Sequence, residues 1–444
     1  MTEQWALPYD VLLTIMDLSS PCTIATMMRT CRTLYDDTKG LWLLLHNGVT
    51  LADNPAILSF AAFMLASHNT RRFQYLRTLT VAKGGFYDDA VRELTTILTH
   101  PSLNIETLTL HDAEKVLSCG AVVTVLTEDV LEPRLPLLHT FSSLTTLKHI
   151  TISSMGQRTH TLLDLLPPGL ISASLAFGSP YSREETPFGD ANARNPVVRL
   201  AKFADTLEVL EGSWFDAQPV VGRPPVVYAR VRRLCATYCV RHPARPATAG
   251  YAYIFPNVEY LALAARWPEH SGFQLYPKRT TRQANRQDQV KYGGWRRLRV
   301  VEGSFEDVWA LGLTCHVRML RLTGDIPWDD STAPRLEEVL VDVQPVELAF
   351  TGFSYPLHTF GGEPVWAALQ GPAAQCVQTL EVEIRFGSAQ NDGEANMADV
   401  LVSASGARVR FAFNCSNGAA AHRRISSMGL RRPSFPNYAR SSSL

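Results

Sequence analysis

Cys235, Cys239 and His242 form the one short cluster whose residue types and spacing could hold a metal ion. A zinc site needs about four such ligands, and no second Cys/His pair lies close in sequence, so no metal is expected. The twelve histidines are dispersed. Signatures of nucleophilic, phosphate-binding, metal-dependent and dinucleotide chemistry are missing: there is no Gly-x-Ser-x-Gly, Gly-x-x-x-x-Gly-Lys, His-Glu-x-x-His or dinucleotide fingerprint. Gly84-Gly85 and Gly361-Gly362 are expected to mark turns. The chain is therefore expected to bind rather than to catalyse, and without a cofactor.

With 444 residues, 46% of them hydrophobic and 19% charged, the chain can bury a large core and lacks the composition of a disordered protein. Its 42 Lys and Arg balance 42 Asp and Glu, which argues against wholesale binding of nucleic acid or anionic membrane. Met1 to Leu7 shows no signal-peptide pattern, and the apolar stretches Leu41 to Leu45 and Phe60 to Ala66 are far shorter than the roughly 18 residues of a membrane span. No membrane association is expected, and the location is expected to be cytoplasmic or nuclear. Eight scattered cysteines in such a chain are expected to stay reduced.

The first fifty residues set two apolar stripes at helical spacing. Pro8 suits a first helical position, Asp10 follows in the first turn, and Val11, Leu12, Ile15 and Leu18 share one face. Ser20-Pro21 offers a second cap, after which Ile24, Met27, Met28 and Cys31 repeat the spacing. A bundle of about forty residues cannot bury all its apolar surface alone. A partner or the rest of the chain must cover it.

Leu7-Pro8, the acidic Asp10, the two hydrophobic helices, Cys31-Arg32 and the closing Trp42 resemble an F-box, over Leu7 to about His46. The usual Glu is here Asp10, and Thr33 or Leu34 stands at the commonly aromatic site. The resemblance implies a three-helix module that binds the Skp-type adaptor of an SCF-type cullin-RING ubiquitin ligase, with Leu7, Pro8, Val11, Leu12 and Ile15 at the matching positions.

From Tyr75 onward a short pattern recurs, an aliphatic or aromatic residue followed by further aliphatics three and five positions later. It stands at Leu76/Leu79/Val81, Ile105/Leu108/Leu110, Leu147/Ile150/Ile152, Val231/Leu234/Ala236, Val258/Leu261/Leu263, Trp295/Leu298/Val300, Val317/Leu320/Leu322, Leu336/Val339/Val341 and Val377/Leu380/Val382. Weaker copies are Leu170/Ala173/Leu175, Leu207/Leu210 and Leu357/Phe360. Such alternation predicts strands with one buried face, paired in parallel through crossovers. Helices are expected between them, opened by Asn195-Pro196, by Asp88 or Asp89, and by Ser304 with Asp307.

The array resembles leucine-rich repeats, which implies an irregular α/β horseshoe with a parallel concave sheet and helices and loops on the convex side. The family's turn Asn is replaced by Gly84, Ala113, Met155 and Asp325, and only Cys239 matches the Cys that it allows. The expected organisation is an F-box module at 1–50, a degenerate repeat array at 51–415 and a disordered basic, Ser-rich tail at 416–444. Lys278 to Lys291, with five basic residues, one acid and almost nothing apolar, is expected to be a mobile loop within an insertion at about 275–293. Strand alternation then assigns Thr78, Thr80, Thr107 and Thr109 to the first part of the concave wall, Arg233, Arg297, Arg299 and Arg321 to the middle, and Glu338, Glu381 and Glu383 to the end. Arginine presents a planar fork suited to carboxylate or phosphate, so the four arginines are the candidate target-binding residues, for an acidic or phosphorylated segment of an unknown protein. The functional expectation is a ligase substrate adaptor; the alternative is an interaction scaffold with no ligase link.

Overall fold

The computed structural model describes residues 7–30, 34–35, 38–66, 71–120, 135–177, 195–215, 226–239, 247–266, 278–324, 332–354, 368–386 and 408–415. The basic tail at 416–444 and the weak copy Leu357/Phe360 lie outside them. The chain divides into two compact units, Met1–Cys239 and Val240–Leu444. Each is an open parallel α/β array in which helices alternate with strands.

The first unit begins with α1 (Tyr9–Asp17), α2 (Pro21–Thr30) and α3 (Thr38–His46). Pro8 sits at the cap of α1, one position earlier than expected. The array follows as β1 (Val49–Leu51), α4 (Asn54–Leu65), α5 (Arg71–Tyr75), β2 (Thr78–Val81), α6 (Asp88–Leu98), β3 (Thr107–Leu110), α7 (Ala113–Ser118), α8 (Pro136–Ser142), β4 (His149–Met155), α9 (Gln157–Leu165), β5 (Ser172–Phe177), α10 (Pro196–Arg199), β6 (Val209–Phe215) and β7 (Arg233–Cys239). Each strand pairs in parallel with the next. Parallel pairing needs a crossover, and the helices supply most of them. Leu79, Leu108, Ile150, Ala173, Leu210 and Leu234 lie side by side in register, each no more than 1% exposed. Burying such a side chain contributes about 1.5 to 3 kcal/mol, so this row is the spine of the unit. The neighbouring register positions Thr80, Thr109, Thr151, Ser174, Glu211 and Cys235 are half-exposed on the other face, as period-two alternation requires.

The second unit contains α11 (Thr248–Ile254), β8 (Tyr260–Arg266), α12 (Lys278–Tyr292), β9 (Arg297–Ser304), α13 (Phe305–Leu311), β10 (His316–Thr323), α14 (Thr332–Val343), β11 (Glu347–Ser354), β12 (Thr379–Phe386) and β13 (Arg408–Cys415), with β8 to β13 paired in parallel in chain order. Leu261, Val301, Leu320, Leu348 and Leu380 form its buried row. The helix starts expected at Asn195 and Ser304 are present: Asn195 Oδ1 accepts from the Val197 N–H at 3.0 Å and Ser304 Oγ from the Asp307 N–H at 3.1 Å.

Three expectations are corrected. Leu336/Val339/Val341 is not a strand but part of α14, because Leu336, Val339, Leu340 and Val343 also satisfy helical spacing and all four are buried. The strand of that repeat is β11. In β9 the inward residues are Leu298, Val301 and Gly303, in register with Val317, Leu320 and Leu322, so Trp295 stands one step before the pattern and Val300 is not an inward position. The trailing aliphatic is a glycine there, whose Cβ would stand 2.5 Å from the Leu263 carbonyl oxygen.

The third correction is α12, expected as a loop. Its buried face is polar: Arg282, Asn285 and Gln289 are 5%, 0% and 5% exposed. The final carbonyls of a helix have no intrahelical donor, and these side chains supply donors at the end of α13. Arg282 Nη1 donates to the Trp309 carbonyl at 2.8 Å, Asn285 Nδ2 to Ala310 at 2.9 Å and Gln289 Nε2 to Gly312 at 2.7 Å, while Thr248 Oγ1 of α11 donates to Leu311 at 2.7 Å. Gly312 is left-handed (φ +57°), and a Cβ there would stand 2.9 Å from the Arg282 carbonyl oxygen, so the close approach needs glycine. Asn285→Ala strands the buried Ala310 carbonyl and is expected to cost about 1 to 3 kcal/mol, read as a lower urea midpoint. Gln283→Ala, on the exposed face of α12, should stay within about 0.5 kcal/mol of wild type.

Candidate functional site

The first candidate surface is built by α1. Leu18 closes the helix with its N–H bonded to the Thr14 carbonyl, and Lys39 Nζ of α3 meets Asp17 Oδ2 at 2.5 Å. Met16 is fully buried, and Leu12 and Leu13 pack partly buried against the core of Met16, Ile24, Met28, Leu34 and Leu41. The opposite stripe is open: Leu7, Val11, Ile15 and Leu18 are 58%, 37%, 39% and 86% exposed. Residues four and then three apart lie on one helix face, so Val11, Ile15 and Leu18 form an uncovered apolar stripe, with Leu7 four residues ahead of Val11. Of the five residues predicted for adaptor binding, Leu7, Pro8, Val11 and Ile15 are exposed, whereas Leu12 belongs partly to the core. Cys31, Arg32 and Thr33 lie outside the described residues.

The three helices share their core with the array. Phe63 of α4 and Tyr75 of α5 pack against it. Arg72, 1% exposed, places its guanidinium over the rings of Tyr35 and Phe63, at 4.7 and 4.5 Å, and donates to the Phe63 carbonyl.

The second candidate surface is the sheet face opposite the helices. Arg233 Nε meets Glu211 Oε1 at 3.2 Å in the first unit. In the second, Arg321 Nη1 meets Glu302 Oε2 at 3.1 Å, and the Tyr260 hydroxyl donates to the same carboxylate at 2.6 Å. Arg297 and Arg299 are exposed at the start of β9, Arg297 beside His316 of β10 in register, and neither carries an ion pair among the described residues. Of the four predicted target-binding arginines, two are thus engaged by neighbouring strands and two are open. Glu338, expected on this face, instead accepts from Trp309 Nε1 at 3.0 Å as a residue of α14. A further charge row precedes the strands of the first unit, where Glu106 receives Arg77 at 2.7 Å and Lys148 at 3.0 Å. The hydrogen bond from Lys148 holds the Glu106 carboxyl below the ordinary carboxylate value, with the charges of Lys148, Arg77 and His149 adding to it.

No family model and no curated protein matches the chain. Among the described residues no group of three or more His, Cys, Asp or Glu is arranged to hold a metal ion, and no helix is long and apolar enough to cross a membrane. His242 lies outside those residues.

One buried titratable side chain was not anticipated. His160 of α9 is 7% exposed, and neither ring nitrogen has a hydrogen-bond partner among the described residues. Burial, aided by the nearby Arg199 charge, holds its pKa below the ordinary histidine value, while the negative charges of Glu114 and Asp164 act the other way. Between the unfolded value of about 6.5 and the lower folded value, the unfolded chain binds the extra proton, so stability falls as pH drops through that window. Urea midpoints should therefore fall between about pH 7.5 and pH 5.5, and His160→Leu should flatten that fall. An unchanged slope in the variant would remove His160 as its cause.

Proposed function

We propose that the chain is a substrate-recognition adaptor of an SCF-type cullin-RING ubiquitin ligase, docking on the Skp-type adaptor through α1 and capturing a protein target on the repeat array. The uncovered stripe of Leu7, Val11, Ile15 and Leu18 carries this reading, together with the F-box resemblance of the same segment. A solvent-facing apolar stripe on a small helical module suits an apolar groove on a partner. The array contributes a broad, half-exposed sheet face rather than a catalytic constellation, which suits recognition.

The competing reading, helices that merely cap the array, is favoured by the shared core with Phe63 and Tyr75 and by the buried Arg72. One experiment separates the two. Val11→Asp with Ile15→Asp places charge on the open stripe without touching the buried side of α1. It should reduce capture of the Skp-type adaptor by at least about a hundredfold, from roughly 1.5 to 3 kcal/mol per buried side chain, with melting unchanged. Leu12→Asp should also lower the melting temperature, because Leu12 packs on the core. Wild-type capture by the double variant would leave the capping reading.

For the target, the unpaired arginines at the start of β9 are the proposed contact for an acidic or phosphorylated segment. Arg233 and Arg321 would contribute only where the segment displaces Glu211 and Glu302. Once a target is in hand, Arg297→Glu with Arg299→Glu should weaken its capture at least tenfold at low salt, with Skp-type adaptor binding intact. Equal capture across a salt titration would exclude these residues.

A further inference from the structure

A cavity of about 460 Å³ lies where α2, α3 and α4 meet β1. Its walls are largely apolar, with Met28, Leu44, Phe60 and Phe63 among them, and Tyr35 and Phe63 are held in place beneath the Arg72 guanidinium. Gly48, Val49, Thr50 and Leu51 all line it. Side chains of a strand alternate between faces, so four consecutive residues can border one cavity only along the backbone edge. Among the described residues that edge has no strand partner, because β1 pairs with β2 on one side only.

The register fixes which groups are available. The Ala82 N–H donates to the Leu51 carbonyl at 2.9 Å, which turns the backbone groups of Leu51, and by alternation those of Val49, toward β2. The N–H and C=O of Thr50 therefore point the other way, toward the cavity side, as one donor and one acceptor spaced as in a single residue. An added peptide strand would use several such pairs along an extended edge, and β1 has three residues. One donor–acceptor pair pointing the same way beside a half-open, largely apolar volume matches one primary amide on a compact apolar body, and the volume lies in the range of small-molecule sites.

We infer that this cavity binds a small, mostly apolar molecule carrying one primary amide group, whose carbonyl accepts from the Thr50 N–H and whose N–H on the carbonyl side donates to the Thr50 carbonyl. The site is separate from the exposed stripe of α1 and from the arginines of β9.

The test uses the full chain and the fluorescent apolar probe N-phenylnaphthylamine, displaced by the primary amide 4-phenylbutyramide or by the ester methyl 4-phenylbutyrate, which has nearly the same shape but lacks the N–H. The expected result is saturable probe binding and displacement by the amide about five- to tenfold more tightly than by the ester, since the ester leaves the Thr50 carbonyl unpaired. Ser59→Phe and Ala25→Phe fill the cavity from α4 and from α2, and either one that melts as wild type should abolish saturable binding. Equal displacement by amide and ester would overturn the assigned class. Binding that persists in a folded cavity-filling variant, or no saturable binding of either probe or amide to the wild-type chain, would overturn the site.

Discussion

A parallel strand of four to eight residues cannot stand alone, and each crossover leaves turn and helix-end backbone groups without partners inside their own element. Here those groups are satisfied by side chains from the neighbouring repeat. Glu114 of α7 accepts from the Arg158 and Thr159 N–H groups at the start of α9, at 3.2 and 2.8 Å. Asn54 of α4 accepts from the Tyr87 N–H at 2.8 Å, just before α6. Thr146 and Thr206 each donate at 2.8 Å to a carbonyl one repeat earlier, Ile105 and Leu170. Tyr228 and Trp295, which stand ahead of β7 and β9, reach back to the carbonyls of Val197 and Phe255. These bonds run from one repeat to the next, so within a unit the repeats are coupled by polar contacts as well as by the aliphatic rows.

The same coupling accounts for the missing turn asparagines. After β2 the position holds Gly84, which has no side chain to give, and the adjacent N–H groups of Gly85 and Phe86 both lie 3.2 Å from Cys119 Sγ. A Cβ at Gly84 would stand 2.4 Å from Lys115 Cβ, so the turn has closed onto α7 and takes its acceptor from just beyond that helix. A regular array would use one residue type at one position; this one uses whichever neighbour is within reach. Spacing between repeats can then vary, because no fixed ladder has to be kept in step.

That distinction explains what was legible in the sequence. The aliphatic rows at Leu79, Leu108, Ile150, Leu234 and Leu320 were legible, because burial of alternate residues writes itself as a period of two. The strand β9 was misframed by one step, since glycine occupies an inward position and Trp295 imitates the missing member. Strand and helix were confused in α14, where Leu336 and Val339 share a helical face with Leu340 and Val343, while Val341, two beyond Val339, is exposed. The segment of α12 read as solvent-facing because its residues are polar, whereas Asn285 and Gln289 are buried precisely because they are polar and α13 ends in unpaired carbonyls. Composition reports hydrophobicity; it does not report which backbone groups elsewhere need donors. Of the candidate surfaces, the α1 stripe could be named from spacing, but its division into a buried side with Leu12 and an open side with Leu7, Val11 and Ile15 depends on where α2 and α3 pack.

Charge on the open sheet face follows from the same register. Strands about 4.8 Å apart bring long side chains of opposite sign within reach, and Arg233–Glu211, Arg321–Glu302 and Arg318–Glu347 are the result. Half-exposed pairs of this kind contribute on the order of 0 to 1 kcal/mol to folding, so stability is a weak reason for them. An anion approaching these arginines would have to compete with a carboxylate already in place. Arg297 and Arg299 carry no ion pair among the described residues, and Arg297 lies beside His316 in register. Under the proposed function, the arginines open to an acidic segment are therefore those at the start of β9 rather than Arg233 or Arg321.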